Sequence, residues 1–124
     1  MSNFALDISK FADKAGLSAD MAVVAVCSKI TAKVIDHTPK DKGRLVGNWY
    51  ASIDSYSTAT SETRREAEAL SEALLIAQKS SGKIFTLTNN LPYAYRIEFL
   101  GWSHTKSPNG MARISVSEVA NALK

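Results

Sequence analysis

The sequence predicts a small α+β domain: an antiparallel or mixed β-sheet with a long N-terminal helix packed across it and a second helix. Three observations support this class. Apolar residues recur at helical spacing between residues 20 and 37, a second amphipathic pattern covers about residues 63–80, and alternating apolar and polar residues occupy 45–53 and 83–88. With 124 residues the chain has the size of one domain, so we expect residues 1–124 to form a single unit.

The composition argues against several classes of protein. Hydrophobic residues at 45% and charged residues at 22% are typical of a folded chain rather than a disordered one. No apolar run approaches the roughly 18 residues of a membrane span, and the first residues mix Asp and Lys with apolar side chains, unlike a signal peptide. The single cysteine, Cys27, permits no internal disulfide, and its apolar surroundings indicate a small buried side chain. These features fit synthesis in a reducing cytoplasm.

The long helix has clear start and stop signals. Residues 1–17 precede it as a lead-in, whose apolar side chains would place a strand or a helical turn against the body. Ser18 is a suitable N-cap, and the helix should end near His37, because Thr38 precedes Pro39 and is disfavoured in the α region. The predicted apolar stripe consists of Val23, Val26, Cys27, Ile30 and Val34.

A turn and the first strand come next. Pro39, Asp41 and Gly43 are typical turn residues. Residues 45–53 should then form a strand in which Trp49, Ala51 and Ile53 alternate with polar neighbours. The polar segment that follows, residues 54–62, is predicted to be an exposed loop.

The second helix and second strand have weaker boundary signals. Thr63 and Glu66 have capping-box spacing, and Gly82 is the expected C-cap. Residues 83–88 alternate and are mostly β-branched or aromatic, which favours a strand.

The last third of the chain is predicted less completely. Pro92 suits the first turn of a short helix or turn that runs through Tyr93 to Leu100. Residues 101–110 should form a loop, and residues 111–123 fit either a strand or a terminal helix.

The chemistry of an enzyme is missing from the sequence. The two histidines, His37 and His104, have no metal-ligand spacing to other residues, and no phosphate-binding glycine loop or nucleophile motif occurs. Glu98 is the one carboxylate in an apolar and aromatic context, where it could be a general acid. Because no second carboxylate lies between Lys83 and Arg113, an ion pair is the simpler interpretation. We therefore expect no catalytic residue, no cofactor and no metal, and a small hydrolase is the weakest functional hypothesis.

Binding functions are better supported. The net charge of +3 is only mildly basic, but the turn at residues 38–44 carries several basic side chains. Together with the aromatic segment 93–102, it could bind nucleic acid through phosphate contacts and base stacking. Tyr, Trp and Arg are also the residue types enriched at the centres of protein interfaces. Five aromatic residues lie between positions 85 and 102: Phe85, Tyr93, Tyr95, Phe99 and Trp102.

Two segments resemble a known family. The first signature segment, residues 38–49, reads Thr-Pro-x-Asp-x-Gly-Arg-Leu followed by Asn-Trp, and the second, residues 87–98, reads LTNNLPYAYR-x-E. A closing piece at 107–113 reads Ser-Pro-x-Gly-Met-x-Arg. In this order and spacing, from about Val23 to Val119, they resemble the phage tail-completion or head-tail joining (neck) proteins, the family of lambda minor tail protein Z. The chain departs from that pattern at Lys42, which replaces the usual Thr, and after Glu98, where one residue is inserted.

The resemblance implies a structural protein of the tailed-phage virion, made in the host bacterial cytoplasm. It implies a homo-oligomeric ring, expected to be sixfold, at the head-tail junction, where it would complete the tail and contact tail-tube protein and head connector or stopper proteins. Genomic DNA would pass through the ring without sequence-specific binding, and no membrane would be involved. The alternative is a nucleic-acid-binding accessory domain that uses the 38–44 turn and the 93–102 segment.

A ring requires two different, complementary patches on each subunit. The 38–44 turn and the segment around Glu98 are the two candidate patches. We expect Arg44 to meet Glu98, either within one subunit or across the ring. The 54–62 loop is a candidate arm, that is, an extension that contacts neighbouring subunits or the tail tube. We also expect Tyr93 and Phe99 to point inward. The candidate interface residues are Lys42, Arg44, Asn48, Trp49, Asn89, Asn90, Tyr95, Arg96, Glu98 and Trp102.

Overall fold

The computed structural model describes residues 4–40, 43–100 and 110–123, and the α+β class is confirmed. The described residues form five helices, one 3-10 turn and two strands. In chain order they are α1 (Phe4–Ala15), α2 (Ala19–His37), the 3-10 turn (Val46–Asn48), β1 (Trp49–Ile53), α3 (Glu66–Gln78), β2 (Phe85–Asn89), α4 (Pro92–Leu100) and α5 (Ala112–Leu123).

The two strands pair in antiparallel register, with Trp49 opposite Asn89 and Ile53 opposite Phe85. The helix between them in the chain, α3, packs against β1, and α2 packs against α3. Helices α1 and α5 contact α2. Helix α3 therefore lies beside β1, and α2 packs against α1, α3 and α5.

The prediction of α2 is confirmed at both ends. The Ser18 hydroxyl accepts a hydrogen bond from the Met21 amide at 3.2 Å. The helix ends at His37, and Thr38 is extended because Pro39 follows it. The predicted stripe is only partly right: Val26 and Val34 are buried, whereas Val23 is 42% exposed. The other residues that α2 buries are Ala22, Thr31 and Ile35.

Several predicted boundaries are wrong. The lead-in forms a complete helix, α1, rather than a strand or a single turn. The strand predicted from residue 45 begins only at Trp49, because residues 46–48 form the 3-10 turn. Residues 112–123 are helical, which decides between the two alternatives for the 111–123 segment. The loop at 54–62 is confirmed as largely exposed.

Helix α3 differs from its prediction at both ends. It begins at Glu66, and the Glu68 carboxylate accepts the Arg65 amide at 3.2 Å, so the cap lies two residues later than the Thr63–Glu66 box. It ends at Gln78, and Gly82 lies in a later turn. The residues it buries completely are small: Ala69, Ala73 and Ala77.

The hydrophobic core lies where the C-terminal half of α2 meets the two signature segments. Trp49, at 6% exposure, packs there with apolar residues from α2, α4 and the chain around them. Cys27 is half-buried, and burial raises the pKa of its thiol. The core cluster comprises Val34, Ile35, Leu45, Val46, Trp49, Leu91, Ala94, Ile97 and Met111.

Candidate functional site

The fold brings the two signature segments side by side. The strand register places Trp49 of the first segment opposite Asn89 of the second. The Asn89 side-chain amide donates to the Leu45 carbonyl at 2.9 Å, and its oxygen accepts the Leu91 amide at 3.2 Å. Asn89 therefore connects the segments and also turns the chain from β2 towards α4.

A groove of about 370 Å³ lies between the two segments. Pro39 and residues 43–45 line it from the first segment, and residues 91–93 line it from the second. Arg44 is the charged residue among those that line the groove. The Arg44 side chain is half-exposed, and its guanidinium forms a 2.8 Å salt bridge with Glu62. The groove could hold an apolar side chain beside a guanidinium group.

Asn48 and Trp49 are engaged inside the chain. Asn48 is fully buried; its amide donates to the carbonyls of Arg44 at 2.7 Å and Ser61 at 2.9 Å, and its oxygen accepts the Ser61 amide at 2.8 Å. The Trp49 indole donates to the Thr38 hydroxyl at 2.9 Å. Asn48 therefore holds the first signature segment against the 54–62 loop, and Trp49 links the two ends of that segment, of which Thr38 is the C-cap of α2. The buried side chains of these two candidate interface residues are not surface groups in this fold.

Asn90 is exposed but is also engaged within the chain. Its amide donates to the carbonyls of Ser57 and Ala59, both at 3.0 Å. It therefore fastens the 54–62 loop, the candidate arm, to the end of β2.

Glu98 is the most completely coordinated side chain of the second segment. It is 7% exposed, and its carboxylate accepts the backbone amides of Met111 at 2.7 Å, Ala112 at 2.8 Å and Arg113 at 3.0 Å, as well as the Arg113 Nε at 3.0 Å. A carboxylate at a helix N-terminus satisfies amides that have no partner within the helix and interacts favourably with the helix dipole. Glu98 thus caps α5.

This arrangement decides between the interpretations of Glu98. The ion-pair interpretation is confirmed, and the partner is Arg113. The expectation that Arg44 pairs with Glu98 inside one subunit is wrong, because Arg44 pairs with Glu62. Burial opposes ionisation of Glu98, but the amide hydrogen bonds and the Arg113 side chain outweigh it and hold the pKa below its ordinary value.

The lowered pKa predicts acid sensitivity. A carboxylate whose pKa is lower in the folded than in the unfolded chain adds stability above its unfolded pKa, about 4.3, and loses it as the pH falls through the folded value. Glu118, whose pKa is lowered chiefly by its hydrogen bond with His37, acts in the same range. In urea unfolding we expect the stability difference between wild type and Glu98→Gln to stay constant down to about pH 5 and then to shrink as the pH falls to 3. A difference that stays constant throughout would contradict the assignment.

Helix α4 presents an aromatic face to solvent. Its buried residues are Ala94, Ile97 and Glu98, so the residues at the complementary helical positions point outward. Tyr95 is 61% and Phe99 56% exposed, and their ring centroids are 5.0 Å apart. We call Tyr95, Arg96, Phe99 and the adjoining Arg113 the α4 outer face.

The predicted orientation of the aromatic residues is partly wrong. Tyr95 points outward as expected, but Phe99 is exposed and Tyr93 is 44% exposed. The Arg113 guanidinium lies 5.2 Å from the centre of the Phe99 ring, within the range of a cation–π contact. The outer face is therefore aromatic and cationic.

Comparisons with protein-family models, curated protein sequences and solved structures found no significant match. The family resemblance thus depends on the signature segments themselves. Two of the candidate residues, Lys42 and Trp102, lie outside the described residues, as does most of the predicted 101–110 loop.

The described residues contain neither a cluster of metal ligands nor a helix that could span a membrane. No group of three or more His, Cys, Asp or Glu side chains there is placed to hold a metal ion. Within the same ranges, no single helix is long and apolar enough to cross a membrane, and α1 and α2 reach that length and apolarity only together, as a pair bent by 110°.

Arg64 is an important residue that the sequence analysis missed. Its guanidinium donates to the carbonyls of Gly47 at 3.0 Å and Trp49 at 2.5 Å, pairs with Glu72, and lies 4.0 Å from the centre of the Tyr50 ring. It thereby links α3 to the first signature segment. No helical or strand spacing relates these residues, so only the tertiary fold shows the connection.

Proposed function

We propose that this chain is a structural protein of a tailed-phage virion, which forms a homo-oligomeric ring at the head-tail junction and completes the tail. It would contact tail-tube protein on one side and connector or stopper proteins on the other. In this proposal the chain is not an enzyme, and genomic DNA passes through the ring without sequence-specific contacts.

One observation carries the proposal: the two segments that resemble the family adjoin each other and lead directly into the α4 outer face. Tyr95 and Phe99 expose aromatic rings beside arginine side chains, which is the composition of interface centres. Asn48, Trp49 and Glu98, the most conspicuous polar or indole groups of the same segments, make internal contacts that hold this surface in place. The signature residues would thus divide into a supporting set and an exposed contact set.

The α4 outer face should contribute strongly to assembly. We expect Tyr95→Ser combined with Phe99→Ser to weaken ring formation at least tenfold, because aromatic side chains at an interface centre commonly contribute more than 1.4 kcal/mol each. Native mass spectrometry, with and without the cognate tail-tube protein, measures the ring. Leu75→Ser is the matched control, because Leu75 is 57% exposed on α3.

Two results would count against the proposal. One is a wild-type chain that stays monomeric even when tail-tube protein is present. The other is a double variant that assembles as well as the Leu75→Ser control.

The same face supports the alternative function of nucleic-acid binding. Exposed rings next to guanidinium groups can stack on bases while the arginines contact phosphate. Submicromolar, salt-sensitive binding to generic DNA by a chain that forms no ring would favour this alternative.

A further inference from the structure

The two outer edges of the sheet are covered very differently. The Asp54 amide donates to the Ile84 carbonyl at 2.8 Å, in register with the strand pairs. Hydrogen-bonded pairs alternate with non-bonded ones along an antiparallel ladder. Residues 86 and 88 of β2 therefore bond to β1, whereas the N–H and C=O groups of Phe85, Leu87 and Asn89 point away from it.

The β1 edge is occupied. Its outward Trp49 carbonyl accepts a hydrogen bond from Arg64, and α3 packs against the strand. On the β2 edge, no backbone hydrogen bond among the described residues uses the outward groups of Phe85, Leu87 or Asn89. Within the described residues, the β2 edge is thus a row of donors and acceptors without a backbone partner, which is a template for another strand.

The β2 sequence lacks the features that usually protect such an edge. Proteins blunt exposed edges with charges, prolines or bulges. No charged residue occurs from Ile84 to Tyr95, and β2 itself, FTLTN, contains no proline or glycine. Ile84, just before the strand, is 71% exposed.

We propose that β2 pairs antiparallel with β2 of a second copy of this chain, centred on Leu87. In this register Leu87 lies opposite itself, Phe85 opposite Asn89, and Thr86 opposite Thr88. The outward backbone groups of residues 85, 87 and 89 then face each other across the two-fold axis, as an antiparallel ladder requires.

The occupant is a second copy because β2 is self-complementary. An uncharged strand brings no like charges together when it meets itself, and Thr–Thr neighbours across strands are favourable. The product is a continuous four-stranded sheet, with the covered β1 edges on the outside. This inference does not rest on the proposed function, because it uses the strand edge and not the α4 outer face.

Charge placement at positions 86 and 88 tests the pairing and its register. Thr86→Lys with Thr88→Lys puts lysines opposite each other twice, and we expect the dimer dissociation constant to rise at least tenfold. Thr86→Lys with Thr88→Glu is the matched control, since each lysine then faces a glutamate and the dimer should persist. Analytical ultracentrifugation measures both, and circular dichroism checks that both variants fold. A wild-type chain that does not dimerise, or equal effects of the two double variants, would overturn the proposal.

Hydrogen exchange on the wild-type chain provides a test without any substitution. The amides of Phe85, Leu87 and Asn89 should become protected as protein concentration rises, whereas those of Thr86 and Thr88, which bond to β1, should be protected throughout. Protection of residues 85, 87 and 89 that does not depend on concentration would also overturn the pairing. The α4 variants described above should leave this pattern unchanged, which separates it from failure of the ring.

Discussion

Replacing Glu98 with alanine is expected to lower the free energy of unfolding by about 3 kcal/mol. The substitution leaves the amides of Met111, Ala112 and Arg113 without their acceptor, and an unsatisfied buried amide costs about 1–3 kcal/mol. Water can reach part of this helix end, so the three losses should not add fully. Urea unfolding at neutral pH measures the change.

The control is Glu98→Gln, which keeps one acceptor oxygen and the shape of the side chain. It should cost roughly half as much, because neutral hydrogen bonds are about half as strong as those to a charged group. The Glu98 carboxylate is tightly packed, because a Cβ on Gly110 would lie 2.6 Å from its Oε2. A loss below about 0.5 kcal/mol for Glu98→Ala, typical of a surface substitution, would show that Glu98 does not cap α5.

Gly47→Ala is expected to be the most damaging single-methyl substitution, at about 3 kcal/mol or more. A Cβ at position 47 would lie 1.9 Å from the Arg64 carbonyl oxygen and 2.8 Å from its carbon. These are backbone atoms, so the 3-10 turn and residue 64 must separate to relieve the clash. Overpacking that moves a backbone costs about 1–3 kcal/mol and occasionally more, and here the Arg64 hydrogen bonds would be strained as well.

Gly16→Ala is a suitable comparison for thermal or urea unfolding. Gly16 has a φ of 69°, and no atom lies within 4 Å of the position that a Cβ would take. Alanine there should therefore cost only the free energy of holding a non-glycine residue in the left-handed conformation, about 1–2 kcal/mol. Gly47→Ala should exceed it clearly. Equal losses for the two variants would show that the first signature segment can move away from residue 64 without cost.

Local signals in the sequence predicted the parts of the fold that local chemistry determines. Ser18 and the Thr38–Pro39 pair define α2, alternation gives the two strands, and Pro92 begins α4. The turn at 46–48 was not predictable in this way, because its shape depends on Asn48 bonding to the distant Ser61.

The candidate site shows the same division. The sequence predicts that Phe99 and Tyr93 point inward, towards the core. In the structure, however, α4 contributes Ala94 and Ile97 to the core instead. Leu91 and Met111 complete the core cluster beside them. The role of Glu98 could not be predicted from spacing, since the helix it caps begins fourteen residues later in the chain.

The order of the elements has a consequence for how this chain folds. β1 and β2 lie side by side, yet the whole of α3 separates them in the chain. No tight turn can therefore bring the strands together, and pairing them must close a long loop, at a cost in chain entropy that increases with loop length. Long-range pairings of this kind slow the folding reaction. We therefore expect the ladder to form only as the helices dock, so that the sheet is a product of the helical packing rather than the framework on which the helices assemble.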